Sequence, residues 1–248
     1  MNGCLSVLKR EIRSYFSTPL AYVFLIAFLL VSGYWTFRDG FYELRQADLR
    51  LFFGHMPQMM LFLVPAIAMR LWAEERRANT IELLFTLPIT TTQAVLGKFF
   101  AAWIVLAIAL VLTFPIIVTV YFLGDPDPGP IWAGYIGSFL LAGTYLTIGS
   151  FFSALTRNQV VAFILGVGVC CIGLYAGSPA AVRFVAGWSP QAGAAMGKLS
   201  FMQTLSFQSH FESLQRGVLE IKDLGFFLLL LGGGLWANIV LLEERKGA

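Results

Sequence analysis

The chain has 248 residues, of which 58% are apolar and 12% charged, whereas a soluble domain has about 45–50% apolar and 25% charged residues. This composition excludes an ordinary soluble enzyme, because one compact core of this size could not bury so much apolar surface. The net charge of +3 gives no reason to expect nucleic acid as a partner. Since the apolar residues lie in long continuous runs, the sequence predicts an all-α polytopic membrane protein.

Six segments are apolar over roughly the 20 residues that an α-helix needs to cross a bilayer. Pro19 stands at the start of the first, and the proline-rich stretch 125–130 separates the third from the fourth. We therefore expect one domain, residues 1–248, with six transmembrane helices. The predicted spans are 20–37, 56–72, 99–123, 131–155, 159–177 and 225–242.

The basic residues predict the orientation of these spans. Placing both termini in the cytoplasm puts ten of the seventeen basic residues on that side, as the positive-inside rule requires. Residues 5–16 place Leu5, Leu8, Ile12 and Tyr15 at helical spacing, with basic residues on the other faces. This pattern predicts an amphipathic helix that lies on the inner leaflet and contacts membrane lipids.

The predicted spans lack ionisable side chains away from their ends, and this absence disfavours a self-powered carrier or an intramembrane hydrolase. The stretch from Gly193 to Ser200 departs from the phosphate-binding loop in both spacing and sequence. The two histidines and three cysteines show no metal-ligand spacing. We therefore predict no catalytic residue, no metal and no cofactor bound by this chain.

The loop between the second and third spans, residues 73–93, is predicted to fold as helix, turn and helix. Asn79 with Glu82 has the form of a capping box, and Pro88 closes the short helix that would follow. Thr90 with Gln93 repeats the capping pattern and starts the next helix, which would continue to Leu123. The result is a short apolar helix held outside the membrane, which suggests a docking site for a cytosolic partner. The alternative is a loop that the same apolar side chains hold against the inner leaflet.

Several short motifs in this loop and elsewhere resemble those of type-2 ABC permeases. The loop motifs are Glu74-Glu75, Thr80-Ile81-Glu82-Leu83-Leu84, Leu87-Pro88 and Gly97-Lys98-Phe99. Two further stretches, around residues 15–22 and 209–218, are similar to the gliding-motility-associated permease GldF and its relatives. Asn79 stands where the family pattern has glycine.

The resemblance implies an exporter permease in the bacterial inner membrane, without a nucleotide site of its own. ATP and magnesium would bind to separate ABC ATPase subunits, a second permease would complete a homo- or heterodimer, and a periplasmic accessory protein is a further candidate partner. The residues that would couple the permease to the ATPase are Glu74, Glu75, Thr80, Glu82, Leu84 and Pro88.

The long segment 178–224 between the last two spans is predicted to be largely helical, with one apolar stripe. By resemblance it would form an outer gate that includes Trp188, His210, Glu212 and Arg216. The residues themselves leave a structural alternative open, with Trp188 as an interfacial anchor and Glu212 paired with Arg216 one helical turn away.

Other functions stay open at this point. One is a non-transporting scaffold of a gliding or envelope complex, and another is a stand-alone carrier. Among exporters, a copper- or nitrous-oxide-linked permease or a sodium-export permease is the nearest alternative. The sequence identifies neither the cargo nor whether the second permease is a copy of this chain.

Overall fold

The computed structural model describes residues 2–38, 48–80, 89–178, 180, 181, 183 and 203–246, and every regular element in these ranges is helical. This confirms the predicted all-α membrane fold. The helices are α1 (Asn2–Ser17), α2 (Pro19–Arg38), α3 (Arg50–Ala68), α4 (Arg70–Arg77), α5 (Thr91–Val111), α6 (Phe114–Leu123), α7 (Pro128–Leu155), α8 (Gln159–Tyr175), α9 (Phe207–Gln215) and α10 (Ile221–Lys246).

Five stretches of the described residues are long and apolar enough to cross a membrane, and they correspond to five of the six predicted spans. They are Ala21–Arg38, Arg50–Arg77, Thr91–Leu123, Pro128–Leu155 and Ile221–Glu244. The remaining predicted span is α8, which is apolar but has only 17 residues. Its length of about 26 Å is slightly less than the hydrocarbon thickness of about 30 Å.

The third predicted span is not one continuous helix. The backbone turns at Leu112 and Thr113 between α5 and α6. Pro115 lies in the first turn of α6, where its missing N–H removes a bond to the preceding helix. The Thr113 hydroxyl lies 2.6 Å from the Leu110 carbonyl oxygen, to which it donates, and 2.7 Å from the Tyr135 hydroxyl. These contacts stabilise the turn within an apolar environment.

Helix α7 lies at the centre of the bundle and packs against α3, α4, α5, α8, α9 and α10. Its glycines allow this close packing. A Cβ on Gly149 would lie 2.6 Å from the Cβ of Ala68, and a Cβ on Gly134 would lie 2.7 Å from the Phe53 ring. Helices in lipid associate largely through such close backbone approaches, so these glycines serve packing within the chain.

Helix α1 has the predicted amphipathic form, but protein covers part of it. Val7 is buried, whereas Leu5 of the predicted lipid-facing stripe is 52% exposed. A Cβ on Gly97 would lie 2.8 Å from the Val7 side chain, so α1 is seated directly on the start of α5. The apolar stripe read from the sequence omitted Val7, because spacing alone does not show which face a neighbouring helix covers.

The three consecutive glycines of α10 provide a test of this packing. A Cβ on Gly234 would lie 2.6 Å from the Thr147 hydroxyl oxygen and 2.7 Å from Thr147 Cβ, whereas one on Gly233 meets no described atom within 4 Å. We expect Gly234→Ala to lower the free energy of unfolding by about 1–3 kcal/mol, because it overpacks this contact. The measurement is reversible unfolding of the purified protein in detergent micelles.

Gly233→Ala is the matched control, and its stability should equal or slightly exceed that of the wild type, because alanine favours a helix more than glycine does. Equal stability of the two variants would contradict a close α7–α10 contact at Gly234.

Candidate functional site

The stalk end of the bundle, defined here as α1, α4 and the first turns of α5, contains the first residues of the predicted coupling loop. It begins where α3 ends at Ala68 and α4 begins at Arg70. The Ser153 hydroxyl on α7 accepts hydrogen bonds from the Trp72 and Ala73 amides, both at 3.0 Å, and donates to the Met69 carbonyl at 2.8 Å. One side chain thus satisfies three backbone groups that the break would otherwise leave unpaired.

A chain of buried hydrogen bonds continues from α4 into the bundle. The Trp72 indole N–H donates to the Ser150 hydroxyl at 3.1 Å, which donates to Asn238 Oδ1 at 3.1 Å. The Asn238 amide in turn donates to the carbonyl oxygens of Thr147 and Gly234. These bonds connect α4 with α7 and α10. Ser150 therefore joins α4 to α10 through two hydrogen bonds.

A buried lysine joins α4 to α1 and α5. The Lys98 side chain is only 4% exposed, and its ammonium lies 2.9 Å from Glu75 Oε1 and 3.2 Å from Glu11 Oε1. It also lies 5.3 Å from the centroid of the Trp72 ring, within the range of a cation–π contact. Arg10 adds a second cation, 2.8 Å from Glu11 and 3.6 Å from Glu75.

The pKa of the Glu11 carboxyl reflects its contacts with the neighbouring cations. Burial raises the pKa of Glu11, but the Lys98 ammonium and the hydrogen bonds from Arg10 and Lys98 outweigh burial and hold the pKa below its ordinary value of 4.5. The carboxyl is therefore ionised at neutral pH and pairs with the lysine. We call Lys98, Glu11, Glu75 and Arg10 the stalk ion cluster.

The structure separates the predicted coupling acids. Glu75 faces the stalk ion cluster and is 20% exposed, whereas Glu74 is 50% exposed and pairs with Arg70. The Arg70 guanidinium donates to both Glu74 oxygens, at 2.8 and 3.0 Å. Thr80 is exposed, and its amide donates to the Glu75 carbonyl at 3.0 Å. Glu82, Leu84 and Pro88 lie outside the described residues.

The predicted role of Asn79 as the N-terminal cap of a helix that starts at Thr80 is wrong. Its φ of +53° is left-handed, whereas a residue that caps a helix start has an extended backbone. Asn79 instead follows the end of α4, where the Thr80 amide bonds to Glu75 O at 3.0 Å and the Asn79 amide to Arg76 O at 3.4 Å. This is a Schellman motif, which prefers glycine and tolerates asparagine. A left-handed backbone at this position suits asparagine as well as the glycine that the resemblance implies there.

The second predicted capping box is confirmed. The Gln93 amide donates to the Thr90 hydroxyl at 3.2 Å, and the Thr90 amide donates to the Gln93 side-chain oxygen at 3.4 Å. The two reciprocal bonds start α5 at Thr91. The start of α5 therefore follows from local sequence, and it positions Lys98 two turns further along the helix.

The far end of the bundle, opposite the stalk end, contains α9 and the predicted gate residues. Phe207 and Leu214 of α9 are seated on glycines, since a Cβ on Gly173 would lie 2.3 Å from the Phe207 ring and one on Gly137 would lie 3.0 Å from Leu214. Phe211 between them is fully buried. Helix α9 therefore lies against the bundle and covers the ends of α7 and α8.

The predicted gate residues on α9 occupy two different environments. His210 bonds to Asp223 at 2.6 Å and is largely buried, at 12% side-chain exposure. Glu212 and Arg216 are exposed and lie 4.0 Å apart, in the helical pairing that was the structural alternative. Trp188 lies outside the described residues.

Sequence reasoning did not assign roles to Lys98, Asn238 and Asp223, although each lies at the centre of a polar cluster. Lys98 was part of a recognised motif, and its position beside a predicted span was the available signal. Nothing in the sequence pairs Asn238 with Ser150. Within the described ranges, no group of three or more His, Cys, Asp or Glu side chains could hold a metal ion.

The sequence of this chain matches the model of a known protein family over most of its length. Residues 12–242 match the sequence model of the ABC-2 family transporter proteins. The matched range begins within α1 and ends within α10. The chain therefore belongs to the ABC-2 transporter family and is a multi-pass membrane permease subunit. A comparison with curated proteins gave no match.

The stalk ion cluster yields a test of stability. We expect Lys98→Met to lower the free energy of unfolding at neutral pH by about 3 kcal/mol, because the substitution leaves two partly buried carboxylates without the buried cation. In the wild type, the contribution of Glu11 is complete above its ordinary pKa of 4.5 and is lost as the pH falls through the lower pKa of the folded state. The difference between wild type and variant should therefore shrink in acid.

Detergent-solubilised protein unfolded at a series of pH values would measure both effects. Lys9→Met is the matched control, because Lys9 lies exposed on the helix that supplies Glu11, and its stability should stay near that of the wild type. A Lys98→Met penalty that does not change with pH would contradict the pairing with Glu11.

The Schellman motif at Asn79 yields a second test. We expect Asn79→Gly to preserve the end of α4, whereas Asn79→Val should destabilise it by about 1–2 kcal/mol, because a β-branched residue is strained at left-handed φ. Hydrogen exchange of the Asn79 and Thr80 amides measures the effect, with exchange about ten times faster in the valine variant. Equal protection in both variants would contradict the left-handed backbone.

Proposed function

We propose that the chain is the permease subunit of an ATP-driven exporter, in which separate ATPase subunits hydrolyse ATP and act on the stalk end. The observation that carries this proposal is the attachment of α4, which precedes the loop that would bind the ATPase. Hydrogen bonds fix α4 to α7, which is bonded in turn to α10, and ion pairs fix α4 to α1 and α5. A displacement of α4 would therefore move four other helices.

The proposed coupling residues take two roles in this arrangement. Glu74, which is half-exposed, would face basic groups of the ATPase together with Thr80 and Glu82. Leu84 would fill an apolar groove on the ATPase, and Pro88 would fix the turn after it. Glu75 pairs with Lys98 at 2.9 Å, so we assign it to the transfer of motion within the permease. The stalk end would then lie in the cytoplasm, with both termini.

A groove between α2, α3 and α8 bears on the class of cargo. It encloses about 410 Å³, and its walls are apolar apart from Gln58. The lining includes Phe24, Phe28, Trp35, Met59, Phe62 and Phe163. Such walls suit the apolar part of an amphiphilic molecule better than a sodium or copper ion, which needs oxygen, nitrogen or sulfur ligands. The groove thus favours an amphiphile over the ion-exporting alternatives.

The second permease would complete the path across the membrane. Only 28% of the Ala21–Arg38 span and 11% of the Ile221–Glu244 span are buried within the chain. A second copy or a related permease would cover part of the apolar surface that these spans leave exposed, and lipid would cover the rest. The resemblance to GldF suggests an envelope complex as the setting, and a non-transporting scaffold in that complex is the second candidate function.

Co-purification tests the proposal. The tagged chain is purified from its own host in mild detergent, the associated proteins are identified by mass spectrometry, and ATPase activity is assayed. We expect an ATPase subunit in near-equal amount, and at least a tenfold loss of that subunit in Leu84→Asp, because a buried carboxylate without a partner opposes docking. A second permease should co-purify or be accounted for by a copy of the chain.

Leu219→Asp serves as the matched control, because Leu219 is 49% exposed at the far end of the bundle. The control should retain the ATPase. A chain purified without any ATPase, or full retention of ATPase in Leu84→Asp, would overturn the docking proposal. An ATPase that co-purifies but drives no movement of solute in reconstituted vesicles would favour the scaffold.

A further inference from the structure

His210 and Asp223 form a buried polar contact between α9 and α10. His210 Nδ1 lies 2.6 Å from Asp223 Oδ1, and His210 Nε2 lies 2.8 Å from the Thr204 carbonyl oxygen. The imidazole stacks on the Phe226 ring at a centroid distance of 4.0 Å and an interplanar angle of 20°. The ring is thus held on both edges and on one face.

The chemistry of the two partners determines where protons lie. A carbonyl oxygen only accepts hydrogen bonds, so Nε2 must carry a proton. An ionised carboxylate also only accepts, so a neutral imidazole with its proton on Nε2 would place two acceptors 2.6 Å apart. The contact therefore requires a further proton between Nδ1 and Oδ1, whichever of the two atoms carries it.

Because the Asp223 carboxyl is buried, the shared proton is important for the stability of this contact. The Asp223 side chain is 2% exposed, and among the described residues its second oxygen, Oδ2, has no hydrogen-bond partner. A buried carboxylate that lacks both water and a cation is strongly destabilising. Either a proton on the carboxyl or a positive charge on the imidazole removes that penalty.

The neighbouring charges form other contacts. Glu220 pairs with Lys222 at 2.6 Å, and Glu212 with Arg216 at 4.0 Å. Among the described residues, neither the His210 side chain nor the Asp223 side chain forms a hydrogen bond or an ion pair with any of these four residues. The other titratable or charged groups on the elements around α9, at this end of the bundle, are Arg50, His55, Tyr135, Tyr145, Cys170, Cys171 and Tyr175.

We infer that His210 and Asp223 form a proton-dependent latch that fastens α9 to the start of α10. With the shared proton bound, the latch holds α9 over the ends of α7 and α8. When that proton is removed, the two acceptors repel each other and the attachment of α9 to α10 weakens, while the buried side chains of Phe207, Phe211 and Leu214 still hold α9 on the bundle. This latch is independent of the proposed ATPase partner and of any cargo, so its failure would leave the exporter proposal unaffected.

Hydrogen exchange of the full-length chain in lipid nanodiscs tests the latch. Protection factors of the Phe207–Gln215 amides, corrected for the pH dependence of intrinsic exchange, are measured from neutral to alkaline pH. In the wild type we expect protection to fall at least about tenfold at alkaline pH, since a charge-assisted hydrogen bond contributes about 1.5–3 kcal/mol. In Asp223→Asn protection should persist at all pH values, because the amide donates directly to Nδ1 of a neutral imidazole.

Two further variants keep the test decisive. His210→Gln should also lose the pH dependence, and it serves if Asp223→Asn does not fold. Glu220→Gln, which removes an exposed acid beside the latch, should keep the wild-type profile. The latch is refuted if wild-type protection is independent of pH, or if Asp223→Asn follows the wild-type profile.

Histidine-selective ¹⁵N NMR provides a direct readout, because the chain contains two histidines and His55→Gln leaves the signal of His210 alone. In the wild type at neutral pH we expect a proton on Nε2 and a proton-bearing hydrogen bond at Nδ1, with the Nδ1 signal shifted by Asp223→Asn. A bare Nδ1 with the same shift in both proteins would contradict a shared proton.

Discussion

The hydroxyl of Ser153 fastens the α3–α4 junction, from which the stalk end extends, to the central helix α7. A helix that breaks near a membrane must satisfy its freed backbone groups without water, and each unpaired group would be strongly unfavourable. Ser153 accepts from two amides and donates to one carbonyl at the α3–α4 junction. Because this hydroxyl belongs to α7, the central helix helps to fix the position of α4.

Polar side chains inside this apolar protein fasten helices to one another both at helix ends and within the bundle. The stalk ion cluster connects α1, α4 and α5, while the Ser150–Asn238 bonds connect α7 and α10. At the far end, His210 and Asp223 connect α9 and α10. Hydrophobic burial alone would not select these contacts, since lipid is as apolar as the helix surfaces. The polar contacts therefore determine which helices move together.

These contacts between helices bear on how a permease of the ABC-2 transporter family works. In the proposed exporter, motion would enter through contacts at the stalk end and pass through the interior of the bundle. Glycine contacts such as Gly149 against Ala68 keep the helices close, while the polar contacts oppose sliding between them. The glycines and polar groups thus serve the same requirement, which is a bundle that moves as connected parts.

The sequence by itself determined the membrane class, the approximate spans, the start of α5 and the family motifs. These follow from apolar runs, local capping bonds and short motifs, which depend on residues close together in the chain. It also led to an incorrect role for Asn79, because asparagine can both begin a helix and follow its end in left-handed conformation.

Only the tertiary structure decided the partners of Lys98, Ser153 and Asp223. Ser153 bonds to backbone groups 80 to 84 residues away in the chain, and Lys98 bonds to Glu11 across 87 residues. It also decided that Glu75 points inward while Glu74 is half-exposed. These outcomes depend on helix rotation and on contacts between distant segments. Local sequence does not encode either, because the same apolar helix surface can pack against lipid or against protein.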